Sequence, residues 1–431
     1  MNFIAKCFPS ALFAFSLLVT SSTHSATDET IYLSADAMFD SESGKLIDNP
    51  ALLIKDGLIV EVSSQSALNA PEGATIISLE GKTILPGLID MHVHLTSMAT
   101  DHGYKRLRVS HERAAINGVV NAKRTLMAGF TTVRNVGAPS FADVALRDAI
   151  AEGDIPGPHM FVSGPPIGIT GGHCSDNNLL PSEYNLLGEG VADGPWAARS
   201  KVRRNIKYGA DLIKTCSTGG VLSKGTKVGA PQYTIEELTA IVEEAHSHGL
   251  KVASHAHGTE GIINALKAGV DTIEHASFID EEGIELAVKQ GAYLSMDIYV
   301  TEYILGEGEA AGILEESLEK ERMTGQTQRD NFKKAVDAGA KIILGTDAGV
   351  YPHGDNAKQL SRMVRFGMPS NEVLRAATSV AAQALGQSGN VGVIASDASA
   401  DIIAVDGNPL EDIDLLETPS FVMKAGLVYK N

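Results

Sequence analysis

The sequence predicts an α/β protein: a (β/α)8 TIM barrel with a small β-sandwich domain formed from both termini. Three observations predict it. Through the middle of the chain, short apolar, β-branched runs alternate with helical patterns, as expected of a parallel sheet covered on both faces. Eight such strands can be counted there, the number that closes a barrel within roughly 250–300 residues. Both chain ends read differently, as short strands punctuated by turns. A doubly wound open sheet is the competing arrangement.

Residues 1–26 open with the single cation Lys6, followed by an apolar core from Phe8 to Val19 and then small polar residues. This is a secretory signal pattern with cleavage expected between Ser22 and Thr27, so the address implied is periplasmic. A retained anchor is the alternative, but the apolar core is short for a membrane span. No integral membrane span is expected in the mature chain. Residues 27–85 form the first part of the β-sandwich, through "IYLSADAMF", "PALLIKDGLIVEVSS" and "ATIISLEGKTILP". Their Lys-Asp-Gly and Glu-Gly-Lys punctuation is hairpin chemistry.

Residues 86–388 form the barrel. Its strands are read in "TILPGLIDMHVH", "AGFTTVRNVG", "PHMFVSGPPIG", "ADLIKTCSTGG", "LKVASHAHG", "VDTIEHAS", "AYLSMDIYV" and "AKIILGTDAG". Helical patterns lie between them, one from Ile235 to His248 with Thr234 and Glu237 at capping-box spacing. Residues 389–431 complete the sandwich with "ADIIAVDGNPL" and "SFVMKAGLVYKN".

Composition limits the function. With 44% hydrophobic and 20% charged residues the chain is an ordinary globular protein. Its net charge of −18 argues against nucleic acid as a partner. A small-molecule or dipeptide substrate fits better, and a homo-oligomer is compatible with the composition. Cys174 and Cys216 read as packing residues, with a disulfide between them left open.

Barrels carry their chemistry at the C-terminal ends of the strands. Strand one ends in His92-Val93-His94, and residues two apart on a strand share a face. Strand four carries Lys214 behind two apolar residues. A desolvated lysine has a depressed pKa, and its neutral amine can take up CO2 as a carbamate. Strand five ends in His255-Ala256-His257, strand six in Glu274-His275, and strand eight in Gly345-Thr346-Asp347. Singly these are ordinary, because a strand-end histidine is more often a satisfied core residue than a ligand. Together, at one rim of one barrel, four histidines, the lysine and the aspartate are a donor set for a divalent metal such as zinc.

His92-x-His94, Lys214, His255, His275 and Asp347, with "ILPGLIDMHVH", "TGGVLS", "VASHAHG", "TIEHAS" and "LGTDAG" around them, resemble the binuclear metal-dependent amidohydrolase superfamily. The likeness is to its Xaa-Pro dipeptidase (prolidase-like) and imidazolonepropionase-related branch. It implies two divalent metal ions, zinc the expected species. His92, His94 and Asp347 would hold the more buried ion, and His255 and His275 the more exposed one. Lys214 would bridge them as N6-carboxylysine, and His255 rather than His257 would be the ligand. Asp347 would be the catalytic proton shuttle for a hydroxide held between the ions. One departure is Asn135, where such relatives usually carry aspartate.

The expected reaction is hydrolysis of C–N amide bonds in small peptides, releasing a C-terminal amino acid. His173 and His257 are the substrate-binding candidates, and Gly219 and Gly220 could bring backbone N–H groups to the ligand. A cyclic amidohydrolase of the imidazolonepropionase or hydantoinase type is the enzymatic alternative. A non-catalytic periplasmic binding protein is the alternative from another class.

Overall fold

The apolar runs of the middle region pair in parallel, in two arcs. A computed structural model describes residues 30–174 and 178–431, so the signal pattern at 1–26 lies outside the described residues. The first arc holds barrel strands one to three, Leu88–Val93, Phe130–Asn135 and His159–Val162. The second holds strands four to eight: Leu212–Cys216, Lys251–Ala256, Thr272–His275, Tyr293–Ser295 and Lys341–Ile343. Met91 N donates to Leu344 O and Asp347 N to His92 O, each at 2.8 Å, joining strand eight to strand one. Asp211 N to Val162 O (2.7 Å) and Ile167 N to Lys214 O (2.8 Å) join strand three to strand four. All eight strands read from the sequence are therefore present, in order around one barrel.

Helices return the chain between strands for reasons visible locally. Ile235–Ser247 starts at Thr234, whose side chain accepts from Glu237 N while Glu237 accepts from Thr234 N. Such a cap satisfies two amide groups that the first turn leaves without partners. Its buried face, Leu238, Ile241 and Ala245, joins the same apolar cluster as Ile213, Val252 and Ile273 of the strands. The long helical stretch after strand seven is broken into Val300–Ala311 and Glu315–Asp337 at Gly312, whose φ of 99° an L side chain resists.

Both ends of the chain build the second domain. One hydrogen-bonded sheet runs Leu427–Lys430, Phe421–Lys424, Ile402–Asp406, Thr75–Pro86, Thr30–Asp40, Pro50–Lys55, Leu58–Ser64, with Lys45–Asp48 paired to Thr30–Asp40. The Lys-Asp-Gly signal makes the expected hairpin turn, with positive φ at Asp56 (52°) and Gly57 (79°). The strands of both chain ends share this one sheet, whose register shifts between Ala35 and Ala37. Its edge meets the C-terminal segment where Ile59 N donates to Ala398 O at 2.9 Å. Leu33, Ile54 and Ile84 from one end pack with Ile402, Phe421 and Met423 from the other.

Candidate metal centre

Strand one delivers alternate residues to the barrel interior, and three of them are polar. Asp90 is lowest, accepting from Thr346 Oγ1 at 2.6 Å and Asn356 Nδ2 at 2.8 Å, which ties strand one to the turn after strand eight. Burial pushes its pKa up to about 7, against the hydrogen bonds it accepts. His92 and His94 come next. Asp347 Oδ1 lies 3.4 Å from His92 Nε2 and 3.3 Å from His94 Nε2. The spacing in "HVH" thus does what was expected of it.

His275 joins from strand six, its ring centroid 5.0 Å from that of His92. Its backbone explains a departure from strand alternation. Glu274 and His275 are neighbours, yet both serve the interior, and His275 and Ala276 have φ of 71° and 49°. Asp347 is left-handed too, at 58°. Such conformations cost an L residue roughly 1–3 kcal/mol each and persist where the surroundings enforce them.

His255 and His257 complete the cluster, with ring centroids 4.5 Å and 4.8 Å from His275. Two groups of donor atoms result, each within 4.8 Å: His92, His275 and Asp347, and His255, His257 and His275. Lys214 is buried on strand four and is electrostatically felt by His92, His173 and His255. Exposure varies within the cluster, where His92 is buried. The side chains of His94 and Asp347 are the open ones, at 28% and 14%, while His255 and His275 are buried. The reason is position: His94 stands one residue beyond the end of strand one.

Whether these residues suit a cation is decided by their other contacts. His92 Nδ1 meets Glu274 Oε2 at 2.9 Å, and His275 Nδ1 meets Asp297 Oδ1 at 2.9 Å. Arg134 Nη2 holds Glu274 at 2.7 Å, and Gln328 Nε2 holds Asp297 at 2.9 Å. Carboxylates on the outer nitrogen orient the inner one towards a metal and raise its basicity. His255 Nε2 is buried with no hydrogen-bond partner, a state a native protein avoids unless something else binds there. The set fits a divalent ion.

Electrostatics agree. Burial, and then the Lys214 charge, lowers the His92 pKa to about 4. Burial also holds His255 and His257 well below the ordinary value, leaving them in the neutral, ligating form. His275 goes the other way, because Asp297 outweighs its burial. Desolvation lowers Lys214 to about 8. Asp347 is buried, which alone would raise it, but the His94 hydrogen bond and the surrounding imidazoles hold it below the usual carboxylate range.

The remaining candidates fall beside the cluster. His173 stacks on His255 at 4.1 Å with its Nδ1 2.8 Å from Ser223 Oγ. His257 Nδ1 meets Ser277 Oγ at 2.7 Å. Gly219 departs from its expected role, because its N–H donates to Ala230 O at 2.9 Å within its own loop. Gly220 is required for space: a Cβ there would come 2.4 Å from the His173 ring. Cys174 and Cys216 are joined as a disulfide, their Cα atoms 6.0 Å apart. Glu274, Asp297 and Arg134 were not singled out from the sequence for a role. Two of them carried a signal there, as charges inside the otherwise apolar strands "TTVRN" and "DTIEH".

A parallel barrel whose C-terminal rim gathers imidazoles, a lysine and a carboxylate is the architecture of a metal-assisted hydrolase. Residues 83–429 match the model of the amidohydrolase family, and the chain belongs to that family. It is a hydrolase acting on amide bonds. Ochratoxinase of Aspergillus niger is 32% identical over 440 aligned positions, covering 96% of this chain and 89% of the relative. A solved Xaa-Pro dipeptidase with bound methionine superposes with a TM-score of 0.88 at 36% identity, covering 94% of this chain and 100% of that one. A prolidase complexed with N-methylphosphonate-L-proline gives 0.84 at 30% identity, covering 93% and 100%. No described helix is long and apolar enough to cross a membrane.

Proposed function

We propose that this chain is an exported dipeptidase that releases the C-terminal residue from small N-acyl amino acids, Xaa-Pro dipeptides being the favoured substrates. The observation that carries the reading is the convergence of His92, His94, His255, His275 and Asp347 around one space, beside buried Lys214. In this reading two divalent ions, zinc the expected species, are held by His92, His94 and Asp347 and by His255 and His275. Lys214, as N6-carboxylysine, would supply a further carboxylate ligand to them. Bound there, the ions supply a hydroxide nucleophile near neutral pH and polarise the amide carbonyl.

The chain's own residues do the rest. Asp347, kept ionised, accepts the proton of the attacking water and returns it to the leaving nitrogen. Glu274 and Asp297 keep His92 and His275 in one tautomer. His173 and His257, neutral and anchored to Ser223 and Ser277, line the space beside the reacting carbonyl. The similarity to a solved Xaa-Pro dipeptidase supports the substrate class. The signal pattern at 1–26 supports export, where release of amino acids from scavenged peptides has a use.

A dipeptide-library assay on zinc-loaded protein tests this, with imidazolonepropionate, hydantoins and lactones as controls. Turnover of Xaa-Pro and related dipeptides is expected, with about two metal ions per active chain. Asp347→Asn is expected to lower kcat by about a thousandfold or more. Turnover confined to the cyclic compounds, or an unimpaired Asn variant, would refute the reading.

A further inference from the structure

The helix Glu315–Asp337 buries an unexpected face for the outer layer of a barrel. Its buried positions recur at helical spacing, yet Ser317, Lys320, Glu321, Thr324, Gln328 and Asn331 among them are polar. A helix packed on a sheet ordinarily turns an apolar stripe inward, and a buried polar side chain needs a partner. In the first half two of those partners are local. Thr324 Oγ1 donates to Lys320 O at 2.7 Å, and Glu321 accepts from Thr301 Oγ1 at 2.5 Å. Other partners lead to the histidine cluster. Lys320 Nζ donates to Ser223 O at 2.7 Å, and Ser223 Oγ meets His173. Asn331 Nδ2 donates to Ser277 O at 2.9 Å, and Ser277 Oγ meets His257.

Gln328, buried one turn before Asn331, reaches His275 itself. Its Nε2 donates to His275 O at 3.0 Å and to Asp297 Oδ1 at 2.9 Å. The same Asp297 oxygen meets His275 Nδ1 at 2.9 Å. The two hydrogens of one side-chain amide therefore fix His275 at its backbone and, through Asp297, at its ring. Both need fixing. The backbone stands at φ 71°, a conformation that persists in an L residue only where the surroundings enforce it. The ring is the one shared by both groups of donor atoms, so a turn of it would disturb His92 and Asp347 as well as His255 and His257.

We propose that Gln328 is a positioning residue of the metal centre, setting the backbone and ring of His275 so that its Nε2 is presented to the ions. This rests on the reading of the site as a centre for two divalent ions. An uncharged amide suits the task, because it orients Asp297 without forming an ion pair that would weaken the hold of the carboxylate on the imidazole. Partners behind a metal-binding histidine typically govern metal affinity by about 10- to 100-fold.

The test titrates metal-stripped full-length protein with zinc against a chromophoric chelator, for wild type, Gln328→Met and Thr324→Val. Gln328→Met keeps the reach of the side chain and loses both donors. Thr324→Val removes a buried hydrogen bond of the same helix that touches no histidine of the cluster. Gln328→Met is expected to bind at least one of the two ions about 10- to 100-fold more weakly, and Thr324→Val to bind both as the wild type does. Thermal unfolding of the metal-free proteins separates weak binding from misfolding. Should Gln328→Met fail to fold, Gln328→Asn decides, since it keeps the amide but withdraws it by one methylene, and the same weakening is expected. A folded Gln328 variant with unaltered zinc affinity overturns the positioning role and leaves the metal reading standing. Equal weakening in Thr324→Val overturns the role too, because the loss then belongs to the helix in general. A wild type that binds no zinc overturns both.

Discussion

Asn135 shows how one atom sets the balance of a buried network. Its Oδ1 accepts from Leu95 N at 2.8 Å, while its Nδ2 faces Gly137 O and Asp143 Oδ2, both at 3.2 Å. Asp143 also accepts from Gly164 N at 3.0 Å, and burial pushes its pKa up to about 6. Asn135→Asp would replace that donor with an acceptor beside a second carboxylate. The folded state must then keep a proton that the unfolded chain releases, so the folded pKa lies above the unfolded value. Stability is therefore present below about pH 4 and lost as pH rises through the folded pKa. Urea unfolding is expected to show a deficit of about 2–3 kcal/mol against wild type at pH 7.5 that shrinks towards pH 5. A deficit independent of pH would contradict this account. The sequence marked Asn135 only as a departure from a pattern, and its partners come from three segments.

At the scale of elements, strand ends were legible and the loops that cover them were not. Apolar β-branched runs with a polar final residue identify a barrel strand and its catalytic end, so "DMHVH", "ASHAH" and "TIEH" could be read at once. The segment from Asp101 to Arg108, after strand one, lacks any such period; its placement depends on Val350, Ala310 and Lys224, remote in sequence. The disulfide is a similar case. Cys174 follows His173 directly and Cys216 closes strand four, so the bond ties the His173 loop to the strand that carries Lys214. It closes a separation of 42 residues. Cys174→Ser is expected to cost about 2–4 kcal/mol of stability and to weaken substrate binding through the loosened loop. Thermal unfolding with and without a reducing agent measures it. Equal midpoints for wild type under both conditions would show that the pair contributes nothing.

Across the whole molecule, the barrel depends on the chain's last residues. Ile402–Asp406 pairs with Thr75–Pro86 on one side and Phe421–Lys424 on the other. Lys424 Nζ, buried, donates to Gly157 O at 2.8 Å and so fastens the β-domain to the barrel. A chain ending at residue 388 would leave Leu33, Ile54 and Ile84 without their C-terminal cover and one face of the barrel without its partner. It is expected to yield no folded monomer by circular dichroism and size-exclusion chromatography. A folded, metal-binding truncation would show that the barrel stands alone.

By itself the sequence determined the eight strands, their order and the metal-binding residue types at their ends. Period and composition are local properties, and a strand end carries its chemistry within a few residues. Only the tertiary structure decided what those residues face: the carboxylates behind His92 and His275 and the orphaned nitrogen of His255. Those relations join positions 22 and 182 residues apart, and it is closure of the barrel, not any local pattern, that brings them within hydrogen-bonding range.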